Sequence, residues 1–238
     1  MNRKVFVAVM LAVLTTSFGL TAYAQEINVW VGYGSTNMES LNSYLGLSYT
    51  LDTVLLSNYS GTINHLTGGI TLGIQVTYPI SGKLLGGFAV SYQDSSGGYH
   101  LSWVDTGGYN NSQDLQINLN LIPVMAGFSY TYPIDKKFTI IPGIYAGYGF
   151  LSGEYYSKSE SDNPSVTPTS SSESYQGGGL VLDIPIELRY KISNNSSLSL
   201  KLGYRNASIA NIKEGSDYTL WSADFSGIFI SALGSFKF

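Results

Sequence analysis

The chain contains no cysteine, which excludes a disulfide scaffold and leaves packing and backbone hydrogen bonds to hold the fold. Charge is scarce as well: Asp, Glu, Lys and Arg make up 12% of the residues, about half the usual share. The net charge is −4 and no basic cluster is present, so nucleic acid is excluded as a partner. Only two histidines occur, His65 and His100. Neither has the neighbours or the spacing of a metal centre, so no metal and no cofactor is expected.

Long apolar runs are missing beyond the first two dozen residues. The opening "MNRKVFVAVMLAVLTTSFGLTAYAQ" has a charged start at Arg3 and Lys4, an apolar stretch from Val5 to Leu20, and an A-x-A site at Ala22, Tyr23 and Ala24. It reads as a cleaved export signal over residues 1–24, with a single domain over 25–238. After it, no stretch reaches the roughly 18 apolar residues of a membrane helix. A membrane protein of this sequence must cross with strands.

What is abundant is glycine (27), tyrosine (19) and alternation. In "GGITLGIQVTYPI" the even positions Ile70, Leu72, Ile74, Val76 and Tyr78 are apolar, and Thr71, Gly73, Gln75 and Thr77 lie between them. That period of two marks a strand with one greasy face. The pattern recurs around Val29, Val90, Val124, Ala146, Ile186, Leu200 and Ile230 and gives eight strands. In "DLQINLNLIPVMAGFSYTYPI" the apolar set is odd through Leu121 and even from Ile122. Side chains cannot change phase without an extra residue, so a β-bulge is expected at Leu121–Pro123.

Short connections at residues 79–83, 133–137 and 193–197 alternate with long polar ones at 35–67, 94–113, 151–178 and 206–217. Strict alternation suits an all-β, eight-stranded antiparallel up-and-down transmembrane barrel with unlike ends. Outward aromatics fall into two girdles: Tyr78, Tyr130, Tyr132 and Tyr190 near the short turns, and Tyr33, Tyr92, Tyr148 and Tyr204 near the long loops. The last strand ends on Phe236 and Phe238.

These features resemble the small OmpA/OmpX-like outer-membrane β-barrels of Gram-negative bacteria. The resemblance covers Gln25 to Phe238 at the level of pattern and lacks the periplasmic peptidoglycan-binding domain of the OmpA type. It implies a location in the outer membrane, short periplasmic turns, long extracellular loops, and contact with the lipid bilayer and lipopolysaccharide. It also implies that Phe236 and Phe238 are the signal read by the barrel-assembly machinery.

Inside such a barrel the alternation places Asp183, Glu187, Arg189 and Lys191 on strand six and Lys201 and Arg205 on strand seven, all away from lipid. A charge on the lipid face would cost about 2 to 4 kcal/mol at the midplane. Antiparallel partners share a constant sum of residue numbers. The register that sets Glu187 opposite Lys201 and Asp183 opposite Arg205 is expected, because the register two residues away opposes Arg189 to Lys201. Trp30, Tyr145, Phe225 and Phe229 also point inward, so this network reads as lumen filling in preference to an ion pathway.

In the first loop Thr36 and Glu39 have capping-box spacing, and Leu41, Tyr44 and Leu45 share a helical face. With Val54, Leu55 and Leu56 following, the loop reads as a helical lid over the barrel mouth, the alternative being an element lying on the outer leaflet. The second loop reads as a hairpin turning at Thr106–Gly108, and the Ser/Thr-rich third as a mobile segment, with Tyr155 and Tyr156 at its base open to either a partner or the interface. His65 and His100 lie in no catalytic motif, so lipid A-modifying chemistry is disfavoured. The sequence therefore points to a non-enzymatic surface or structural protein whose loops bind lipopolysaccharide or external ligands. The other reading is a narrow channel or apolar-molecule transporter gated by the first loop. Ligand-binding residues and oligomeric state are not legible.

Overall fold

The computed structural model describes residues 26–238 except 55, 57, 215, 216, 220 and 221. The export signal, and Leu55 of the first loop, lie outside the described residues. Eight strands form the barrel: β1 (Glu26–Ser35), β2 (Gly68–Ser81), β3 (Leu84–Val104), β4 (Asn110–Tyr130), β5 (Phe138–Ser161), β6 (Thr169–Lys191), β7 (Ser196–Asn206) and β8 (Gly227–Lys237). Each pairs antiparallel with its sequence neighbours, and β8 closes on β1 through Ile27 opposite Phe236. Closure leaves no unpaired edge at membrane depth, which is the condition for strands to cross a bilayer.

The strands differ in height for a simple reason. β1, β7 and β8 have 10 or 11 residues, the length of one membrane crossing. By contrast β3, β4, β5 and β6 have 21, 21, 24 and 23 residues. Their surplus rises beyond the long-loop end as a curved wall.

That wall explains the change of apolar phase in β4, and it corrects the expected bulge. β4 holds one register with β3 on both sides of the segment, Val90 opposite Val124 and Gln93 opposite Leu121. It pairs with β5 without interruption through Leu121, Ile122 and Pro123. Leu115, Ile117, Leu119, Leu121 and Met125 are all buried, while Gln116, Val124, Ala126 and Phe128 are exposed. The side chains never change phase; their surroundings do. Below Ile122 the outer face meets lipid and must be apolar, whereas above it the outer face meets water and the inner face carries the core. A register irregularity does occur at the first short turn, between Pro79 and Ser81, where proline withholds a ladder donor.

The first loop forms helix α1 (Glu39–Val54). Leu41 and Leu45 are fully buried with Met38 and Leu66 in the apolar core, so the helix covers the mouth. Tyr44 is a correction: it is exposed, together with Leu47, Leu51 and Val54. The capping box is also displaced, because the amide of Asn42 donates to Met38 O at 2.7 Å and the Thr36 hydroxyl lies 3.5 Å from Ser95 Oγ. The Asn42 side chain anchors the helix instead, donating to Leu66 O at 3.0 Å and accepting from Leu66 N at 2.8 Å.

Two ribbons widen the wall. Tyr59–Asn64 pairs with the upper part of β3, and Lys213–Glu214 pairs with Tyr175–Gln176 of β6. The fourth loop then turns inward and buries Ala207, Ile209, Ile212, Ala223 and Phe225. The second loop is the expected hairpin, with Val104 opposite Asn110. The third loop differs from expectation: its Ser/Thr-rich residues continue β5 and β6, Ser157 facing Ser171 and Ser159 facing Thr169. Pairing with β4 overrides composition here, and Asn110 locks the two hairpins together through bonds of 2.8 and 2.7 Å to Asp162.

Candidate functional site

The interior has two storeys of opposite character. At membrane depth it is polar, lined by Asn28, Thr71, Gln75, Thr77, Ser91, Gln93, Asp183, Glu187, Lys201, Arg205, Ser231 and Ser235, all buried. Above, it is the apolar core of Leu41, Leu45, Leu101, Ile117, Leu119, Ile209, Ile212 and Phe225.

Strands β6 and β7 pair with Asp183 opposite Arg205 and Glu187 opposite Lys201. Arg205 grips Asp183 through both oxygens at 2.8 and 2.7 Å and reaches Gln93 at 2.9 Å and Ser91 at 3.3 Å. Glu187, although opposite Lys201, accepts instead from Arg189 at 2.8 Å and Ser199 at 2.7 Å. The other face of Arg189 meets Glu26 at 2.8 and 2.7 Å. Lys201 is held by Gln75 at 3.3 Å and by the Trp30 ring, 4.3 Å from its centroid. Trp30, Tyr145, Phe225 and Phe229 are buried inside. Glu26, Trp30 and Gln75 come from β1 and β2, remote in sequence from the charges they satisfy.

This network leaves little space. The voids around Gln75, Tyr145 and Lys201 measure about 10 and 20 Å³, room for about one water each. Among the described residues, Leu41 and Leu45 of α1 and Ile209, Ile212 and Phe225 of the fourth loop pack above these voids. The network neutralises buried charge and fills the lumen.

On the outside, Tyr33, Tyr130, Tyr132, Tyr148, Tyr190 and Tyr204 are exposed, and Tyr78 and Tyr92 half-buried against their neighbours. Between the two rows the outer face is Val29, Val31, Leu72, Phe88, Ile144, Leu182, Ile184, Ile186, Leu200, Leu202 and Ile230, all exposed. An apolar band of this extent on a closed barrel is stable only against lipid. The chain is a transmembrane β-barrel.

No family model and no curated protein sequence matches it. It is similar to solved structures that include the outer membrane protein OprG from Pseudomonas aeruginosa, 13% identical over 91% of this chain and 97% of that one, TM-score 0.42. Neisserial surface protein A is 14% identical over 91% and 96%, TM-score 0.38. Ail, the attachment invasion locus protein of Yersinia pestis, is 11% identical over 90% and 99%, TM-score 0.34.

Above the upper aromatic row the outer wall turns abruptly polar. Ile122 and Phe150 are neighbours in one row, and Asp94, Asn120, Ser152 and Gln176 form the next. Tyr92 bridges the boundary, its hydroxyl donating to Asn120. Higher still, a groove of about 550 Å³ is lined by Asn64, Ser96, Gly98, His100, Asp114, Gln116 and Tyr156. His100 Nδ1 lies 2.6 Å from Asp114 Oδ1, with both side chains about half exposed. The sequence offered His100 alone; its partner follows from the hairpin register, which sets residue 100 opposite residue 114. His65 is exposed and stands outside the groove.

The extracellular surface is acidic. Glu39, Asp52, Asp105, Asp114, Glu154, Glu160, Asp162, Glu173, Glu214 and Asp217 stand there against Lys158 and Lys213 among the described residues, and Lys158 is held by Glu160 at 2.5 Å. Tyr99 donates to Asp52 of α1, and its phenol is pushed above the ordinary tyrosine range by burial and then by that carboxylate. Phe236 and Phe238 are exposed at the short-turn end of β8.

Proposed function

We propose that this barrel is a non-enzymatic outer-membrane surface protein whose extracellular half binds lipopolysaccharide or ligands arriving from outside. The observation that carries it is the contrast between a filled lumen and an open polar groove on the outer wall above the lipid belt. Asn64, Gln116 and Tyr156 offer amide donors, amide acceptors and a ring face, the chemistry of a sugar-binding surface. The surrounding carboxylates oppose direct binding of phosphate, so the sugar portion is what the wall can take, with phosphates held only through bridging divalent cations. In the same reading Phe236 and Phe238 serve the assembly machinery.

The test is calorimetric titration of the folded barrel in detergent micelles with core oligosaccharide freed of lipid A, with and without magnesium. Binding that falls at least tenfold on changing Asn64 and Gln116 together to Ala supports the reading. Absence of binding with and without magnesium, by the parent protein, overturns it.

A further inference from the structure

The periplasmic mouth carries a second concavity that the extracellular reading does not use. The basic residues of the described chain are unevenly placed: Lys83, Lys136, Lys137, Arg189, Lys191 and Lys237 lie at the short-turn end. Continuing the inward alternation past the membrane brings three of them, Arg189, Lys191 and Lys237, to the rim of a cavity of about 130 Å³. Its remaining wall is Thr131, Thr139, Ser193, Asn194, Ser196 and Ser197, and no carboxylate lines it.

Arg189 forms the floor and is already committed to Glu26 and Glu187 at 2.7 and 2.8 Å. Those two acids lie on the lumen side and leave the rim cations under-compensated. Lys237 Nζ reaches Glu26 only at 3.9 Å, and Lys191 forms no ion pair within 4 Å among the described residues. One ammonium group without an ion pair and one with only a distant counter-ion, in a cavity of a few waters that hydroxyl side chains also line, form an oxyanion-binding bowl. Ser193 and Ser196 already bond each other at 2.8 Å, and Thr131, Thr139 and Ser197 supply the other hydroxyl side chains of the lining.

We propose that this mouth binds small periplasmic oxyanions, of phosphate or peptide-carboxylate chemistry, through Lys191 and Lys237. Phosphate dissolved in the periplasm and the free carboxylates of cell-wall peptides present the same group, and two probes separate them. The folded mature barrel in neutral-detergent micelles is titrated with inorganic phosphate and with an acetylated D-Ala-D-Ala peptide. Parallel titrations use Lys191→Gln with Lys237→Gln, and Lys83→Gln on the exposed first turn as control. The expected result is saturable binding of at least one probe that weakens tenfold or more in the double variant and stays unchanged in the control. Preference for the peptide would assign the site to the cell wall, and preference for phosphate to the dissolved ion. Equal weakening in the control, unchanged binding in the double variant, or no binding of either probe at tens of millimolar overturns the proposal. Because these substitutions are at the opposite end from the groove, failure here leaves sugar binding untouched.

Discussion

Arg205 and Asp183 meet through two contacts in a lumen where both are buried. Removing one partner strands the other charge, which costs about 3–5 kcal/mol in an interior that cannot rehydrate it. Arg205→Met is therefore expected to lower unfolding stability by that amount in urea titrations of the micelle-folded barrel, and Asp183→Leu beside it to recover the larger part. An Arg205→Met barrel as stable as the parent would count against the pairing. Gly73 is a second residue-scale constraint, because a Cβ there would stand 2.0 Å from Trp30 Cζ2. Gly73→Val should displace the indole from Lys201 and cost about 1–3 kcal/mol, read from the same unfolding midpoint.

Elements make their own demands. Helix α1 buries Leu41 and Leu45 in the core above the lumen, so Leu41→Ala is expected to cost about 2–5 kcal/mol. The loss should be local: limited proteolysis should cut α1 faster while the membrane strands stay protected. The ribbon Lys213–Glu214 adds to β6 beside Tyr175. There the carboxyl of Glu214 is raised above its usual 4.5, first by its hydrogen bond with Glu173 and then by partial burial. A raised acid binds its proton more tightly when folded, so its contribution is complete below the unfolded value and lost as pH rises through the folded one. Amide exchange along this ribbon should be slower at about pH 4 than at about pH 7, and Glu214→Gln should remove most of the difference. Faster exchange at the lower pH, after correction for intrinsic rates, would reverse the assignment. Sequence alone offered a helix with Leu41 and Leu45 on one face, as a lid or as an element on the outer leaflet, and the burial of both leucines in the core favours the lid. Sequence missed Tyr44 and the cap, because which face packs is set by Leu66 and the loops, not by spacing.

For the whole molecule, the voids at membrane depth are far too small for a hydrated ion. Planar-bilayer recordings are expected to show no conductance steps in the intact barrel, nor after deletion of Asn37–Asn58, because the polar storey is filled independently of the lid. Steps appearing only on deletion would make α1 a gate.

The sequence by itself determined the membrane-spanning ring. Alternation, turn spacing and the rule that charge avoids lipid are local or pairwise, so strand number, the two aromatic rows and the pairing of Asp183 with Arg205 could be read from it. Tertiary structure decided the part above the membrane. An apolar run facing inward under water and one facing outward under lipid look alike in sequence, so the phase change at Ile122 read as a bulge when it was the waterline. The same holds for the Ser/Thr-rich hairpin ordered by its neighbour strand, for the switch of Glu187 to Arg189, and for the His100–Asp114 groove. Each depends on contacts between chain segments far apart, which a one-dimensional pattern does not carry.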